Sequence, residues 1–240
     1  MDHLDAAVAG WRFGVEETNL RLAAAALYQG SRLARGGLSV ATSQEPAGVN
    51  VLVRSAFEYW LMGAWLVFGG DDAIIGVELE RYRWQIILAE RVSAADTEDA
   101  ARHDEGLAKL RDEQAAYQEA AGELPAGRAS SVVLLQIAER LGALIEARFP
   151  EDEGADVTRA YDLLYRSHSM MDAHPPMTIN KLAGDGDRVN IGLEPRLPPV
   201  NALRVMTSYL CLLAHWIDAT QGAPVQLWDD LIERFKSKDH

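Results

Sequence analysis

"VNVLVRSAFEYWLMGAWLVF", residues 49–68, decides the fold. Apolar residues stand almost all round the helical wheel here, and Gly69 and Gly70 follow at once. A helix apolar on every side is buried, so the stretch predicts the central helix of a bundle. Arg54 and Glu58 are its only charges. Four residues apart, they share one face, one turn from each other. Such charges are costly in lipid, and the uncharged portion from Tyr59 to Phe68 is too short to span a bilayer. No membrane partner is expected.

Working outward, apolar residues recur at helical spacing along most of the chain. A helix is expected from Val15 to Leu33, ended by the pair Gly36–Gly37. Two longer helices follow, Asp72 to Val92 and Thr97 to Ala121, with N-capping residues in "SAADTED" between them. In the second, Ala100, His103, Leu107, Leu110, Gln114, Tyr117 and Ala121 alternate in steps of three and four, a coiled-coil-like seam beneath charged outer faces. The pair, about residues 71–122, reads as a charged helical hairpin arm or a dimer contact. Helices Ser131–Arg148 and Asp156–Ala173 come next; Pro175 ends the latter, because the residue before proline avoids the helical region. "MTINKLAGDGDRVNIGLEP" alternates around a "GDGD" turn and predicts a small β-hairpin near 178–193. A long helix to Gln221 and a short one from Gln226 to Phe235 close the chain. The fold class is therefore all-α, a bundle of about seven to eight helices with one β-hairpin, in a single domain over residues 1–240.

The 240 residues are 48% hydrophobic, enough for one sizeable core. A net charge of −13 repels phosphate at long range and argues against a general nucleic-acid coat protein, while leaving room for a local basic cleft that binds RNA. The single cysteine, Cys211, excludes an intrachain disulfide and reads as a small buried hydrophobe. "MDHLDAAVAGWRFGVEE" lacks a basic-then-apolar signal pattern, so a cytoplasmic location is expected.

Three groups of residues have chemistry to offer. Arg54 and Glu58 read either as an ion pair fixing helix register or as the lining of a polar pocket, with Arg54 holding an anion. In "YRSHSMMDAHPP", residues 165–176, helical spacing puts Tyr161, Tyr165, His168 and Asp172 on one stripe and Asp162, Arg166 and Ser169 on another. His174 falls just past the helix end, within reach of Ser169; histidines there also suit the negative end of the helix dipole. On the last long helix Arg204, Ser208, Cys211, His215 and Asp218 share a stripe, His215 reading as a core histidine. No phosphate-cradling glycine loop, HExxH or ExxH pair is present, so neither cofactor nor metal is expected. His168, Asp172 and His174 form the one set of ligating types, at irregular spacing.

"RSAFEYWLMGAWLV" resembles the arginine–x3–glutamate helix of a broad group of uncharacterised bacterial helical proteins. "YDLLYRSHSMMDAHPP" is similar to that group's later helix, with a tyrosine, a serine four on and a histidine at the helix end. The likeness covers roughly residues 45–220 and extends more distantly to the HEPN helical bundles. That resemblance implies a dimer and a metal-free ribonuclease of the toxin or phage-defence type. The HEPN signature places four to six residues between its arginine and histidine; here seven separate Arg166 from His174, with Ser167 at the polar position.

The expectation is a homodimer in which Arg54, Glu58, Tyr165, Ser169 and His174 converge on one polar pocket. In a HEPN-like ribonuclease His174 would be the acid–base and Arg54 or Arg166 would stabilise phosphate charge. The alternatives are a non-enzymatic module that binds a ligand or partner, and a small-molecule enzyme whose pocket is lined by Trp60, Trp65 and Trp216.

Overall fold

The computed structural model describes residues 2–41, 47–95, 99–121, 131–149, 157–166 and 198–236. Its helices are α1 (Asp2–Gly10), α2 (Thr18–Ala41), α3 (Ala47–Phe68), α4 (Gly70–Ala95), α5 (Ala100–Ala121), α6 (Ser131–Arg148), α7 (Val157–Ala160), α8 (Pro199–Thr220) and α9 (Gln226–Lys236). The chain continues from α7 through a π-helical turn, Tyr161–Arg166. The fold is mainly helical, and no strand occurs among the described residues. The hairpin expected at 178–193 lies outside them.

The chain forms two compact units, one of residues 1–68 with 137–240 and one of residues 69–136. In the first, α2 packs along α3, and α8 packs across both. The contact is close because glycines line it. A Cβ on Gly30 would stand 2.9 Å from Leu210 Cδ2, one on Gly37 2.8 Å from Leu203 Cδ2, and one on Gly63 2.6 Å from Leu213 Cδ2. Three leucines of α8 thus sit on bare backbone of α2 and α3. This corrects the expected end of α2. The helix runs through Gly36 and Gly37 to Ala41, because Gly37 serves as a seat for Leu203 rather than as a terminator. Glycine's helix cost, about 1 kcal/mol, is offset by the packing it permits. Gly70, by contrast, does break the chain: its φ of +59° separates α3 from α4, a conformation only glycine adopts freely.

Helix α3 holds the middle of this unit through Val53, Ala56, Phe57, Trp60, Leu61 and Ala64, all closed to solvent. Over Gly48–Phe68 it is the one described helix long and apolar enough to cross a membrane by length and composition, yet α2 and α8 cover it as a core helix. Burial on every side, however, is not observed. Val51 and Tyr59 are exposed and Arg54 and Glu58 half-exposed, because α2 and α8 leave one face of the helix uncovered.

The two ends of the unit meet at one carboxylate. Asp218 of α8, 7% exposed, accepts a 2.7 Å hydrogen bond from Trp11 Nε1 and a 2.5 Å bond from Trp228 Nε1 of α9. The bond from Gln221 Nε2 to the Arg12 carbonyl lies alongside. Helix α1, which the sequence reading did not anticipate, adds buried Leu4, and Arg35 of α2 pairs with its Asp2 and Asp5.

The second unit contains α4 and α5, which pack against each other. Leu107 is buried and His103, Leu110, Gln114, Tyr117 and Ala121 are half-buried, whereas every other residue from 101 to 120 is exposed, so the seam lies where its spacing puts it. Tyr82 meets Tyr117 with ring centroids 6.1 Å apart, Glu90 pairs with Arg111 at 2.7 Å, and Ser93 donates to Asp104 at 3.2 Å.

Replacing Asp218 with alanine leaves two indole N–H groups without their acceptor. Charge-assisted bonds of this kind are worth about 1.5–3 kcal/mol each, in part non-additively, so Asp218→Ala lowers unfolding free energy by about 3 kcal/mol in urea titration. A change below about 0.5 kcal/mol would mean that the clamp holds nothing.

Candidate functional site

The uncovered face of α3 meets the helix leading into the segment of candidate residues. Arg54 lies between its own Glu58, Nη2 to Oε1 at 3.3 Å, and Tyr165, whose hydroxyl is 3.4 Å from the same Nη2. Its guanidinium also covers the Tyr165 ring, with Cζ 4.9 Å from the centroid. Tyr165 in turn stacks on Tyr161 at 5.0 Å and 26°. Both rings stand on the π-helical turn. Both rings are buried, at 6% and 7% exposure, so the cluster is a layered joint between α3 and the π-turn.

Its electrostatics follow from partial burial. The side chains of Arg54 and Glu58 are 26% and 37% exposed. Desolvation raises the Glu58 carboxyl above its ordinary value, against the lowering by the Arg54 charge and by hydrogen bonds from Arg54 and Tyr165. Burial likewise raises the Tyr161 phenol, reinforced by Tyr165. On the same stripe of α3, one turn before Arg54, Asn50 is 2% exposed. Its Oδ1 and the Nε of Arg54 are buried without a hydrogen-bond partner among the described residues. An acceptor and a donor thus stand ready one turn apart.

Of the residues expected to converge, the structure brings Arg54, Glu58 and Tyr165 together. Arg166 does not join them: its side chain is 62% exposed and lies 3.7 Å from Asp162, a surface pair within its own helix. Ser169 and His174 lie outside the described residues, as do His168 and Asp172. Among the described residues no three His, Cys, Asp or Glu side chains are grouped to hold a metal ion. Tyr161 shares the Tyr165 stripe but was not among the expected site residues. Asn50 was missed altogether; its signal was an amide four residues before Arg54 on an otherwise apolar helix.

The remaining candidates are structural. Trp60 and Trp216 are closed to solvent and Trp65 is 6% exposed. Trp60 meets Tyr209 at 4.6 Å, Phe57 at 5.3 Å and Trp216 at 6.2 Å, and Trp216 meets Phe68 at 5.0 Å, so these rings form core. Cys211 is buried, and desolvation pushes its thiol up to about 11, which keeps it protonated as a small hydrophobe. His215 packs 6.0 Å from the Phe149 ring; its Nδ1 is 2.9 Å from Asp229 Oδ1 but off the line of a hydrogen bond, so the contact is an ion pair only when the ring is protonated.

No family model, curated protein or solved structure matches the chain.

The raised Glu58 carboxyl fixes a pH dependence. Its folded state binds a proton more readily than its unfolded state, so stability falls as pH rises through the interval between the two values. Glu58→Gln removes that dependence. The melting temperature of wild type relative to Glu58→Gln therefore rises as pH is lowered from 7 through the carboxylate range, measured by circular dichroism; a relative fall over the same range contradicts the assignment.

Proposed function

We propose that the chain is a non-catalytic helical module that acts by binding a ligand or partner in the cytoplasm, with Asn50, Arg54, Glu58 and Tyr165 as its polar contact. The observation that carries this reading is the pairing of Arg54 with Glu58. A guanidinium that neutralises a carboxylate at 3.3 Å and covers an aromatic ring is a poor holder of phosphate charge. The unsatisfied Asn50 Oδ1 and Arg54 Nε support binding of a polar group that offers one donor and one acceptor.

A second reading, the HEPN-like ribonuclease with His174 as acid–base, draws on a different observation. The π-helical turn ends at Arg166, directly before the segment that carries Ser169 and His174, and such turns recur at functional sites.

One set of measurements separates them. Purified wild type and His174→Ala are incubated with labelled RNA, and Arg54→Ala is unfolded in urea. The binding reading expects intact RNA with both proteins. It also expects Arg54→Ala to lower stability by about 1–2 kcal/mol, since Glu58 loses its partner at a half-exposed site. RNA cleavage by wild type that His174→Ala abolishes would overturn it in favour of the nuclease.

A further inference from the structure

Among the described residues, four buried side-chain atoms lack a hydrogen-bond partner: Asn50 Oδ1, Arg54 Nε, Trp60 Nε1 and His215 Nδ1. Two of them have a local account. The Trp60 ring packs on Tyr209 at 4.6 Å, and His215 Nδ1 stands 2.9 Å from Asp229 Oδ1. Asn50 Oδ1 and Arg54 Nε have no such neighbour. They belong to adjacent side chains on one face of α3, with Cβ atoms about 5–6 Å apart at this spacing. Asn50 is 2% exposed, so bulk water does not serve its acceptor. A buried acceptor without a donor costs folding free energy, and a leucine of similar volume would not. A side chain that opposes stability where it stands is the kind that function retains.

The two atoms specify what can join them. One accepts and the other donates, so the occupant carries a donor and an acceptor on nearby atoms. A carboxylate lacks the donor, and its lone pairs would oppose Asn50 Oδ1. The charge of Arg54 is also already met by Glu58 at 3.3 Å. An ammonium lacks the acceptor and would confront the guanidinium. A primary carboxamide has both groups, and hydrogen bonds of about 2.9 Å on either side carry it across the gap. It is neutral, which suits a joint where guanidinium and carboxylate already cancel. The joint is also closed, with the buried Tyr165 ring against Arg54 and Tyr161 stacked behind it. Only the end of a molecule enters such a place. A primary carboxamide is an end group, whereas a main-chain peptide unit continues on both sides.

We propose that Asn50 and Arg54 form a site for a primary carboxamide, whose N–H donates to Asn50 Oδ1 and whose carbonyl accepts from Arg54 Nε. Glu58 and Tyr165 hold the guanidinium in position. The inference rests on the binding reading above and names the class of ligand. The carboxamide comes from a small free amide or from a glutamine side chain of a partner.

Proton–nitrogen correlation NMR tests it by following the Arg54 Nε–H resonance as propionamide, N,N-dimethylpropionamide, propionate and propanol are added at millimolar concentration. Propionamide shifts the resonance saturably. The dimethyl amide, which has no donor, binds on the order of tenfold more weakly. Asn50→Leu abolishes the propionamide shift and raises the melting temperature of the free protein, because it removes an unpaired acceptor. A blocked Gly-Gln-Gly peptide ending in a methyl ester distinguishes the sources. Tighter binding than propionamide assigns the carboxamide to a partner's glutamine, and weaker binding assigns it to a free amide. The proposal fails if propanol or propionate shifts the resonance as much as propionamide does, if no probe shifts it, or if Asn50→Leu lowers the melting temperature. A shift by propionate alone overturns the carboxamide class and leaves the binding reading standing, whereas RNA cleavage that His174→Ala abolishes overturns that reading itself.

Discussion

The close approach of α8 to α2 and α3 governs the larger unit. It rests on three glycines, Gly30, Gly37 and Gly63, each facing a leucine of α8 at a distance that leaves no room for a side chain. With backbone meeting side chain directly, a buried leucine gains contact on all sides, and the three helices form one interdigitated core. The aromatic cluster of Phe57, Trp60, Tyr209, Trp216 and Phe68 extends that core toward Phe149.

The same packing determines where polar chemistry is allowed. Because α2 and α8 occupy adjoining sides of α3, the remaining face carries Asn50, Arg54 and Glu58, and the π-turn covers it with Tyr165 and Tyr161. Partial burial decides the character of this joint. Glu58 is desolvated enough that its proton is held more tightly than in water, yet exposed enough that its pairing with Arg54 is modest. Asp218 plays a different part, as an acceptor that holds the chain's first and last tryptophans on α8.

Much of this was legible in the sequence, and the pattern of successes has a physical reason. The extents of α3, α6, α8 and α9 and the seam of α5 depend on local periodicity, which a single segment displays. The run of α2 through Gly36 and Gly37 was not legible, because its cause, Leu203, lies more than 160 residues away. Nor was α1, whose nine residues are held by Arg35, or the role of Asp218, which requires Trp11 and Trp228 to be brought to one point. The Arg54–Glu58 spacing announced a pair, and its junction with Tyr165 was expected; the half-exposure of that pair was not, because residues 49–68 alone do not reveal which side goes uncovered. Arg166 stands at the surface, paired with Asp162 one turn earlier.

A double-mutant cycle on Gly63 and Leu213 measures the central contact directly. Gly63→Val places side-chain atoms where Leu213 Cδ2 lies 2.6 Å from an added Cβ, and overpacking of this kind destabilises by about 2 kcal/mol. In a Leu213→Ala background the added valine has space, so the loss there is smaller by at least about 1 kcal/mol. An equal loss in the two backgrounds would show that Gly63 does not seat Leu213 and would contradict the packing on which the rest of the structure depends.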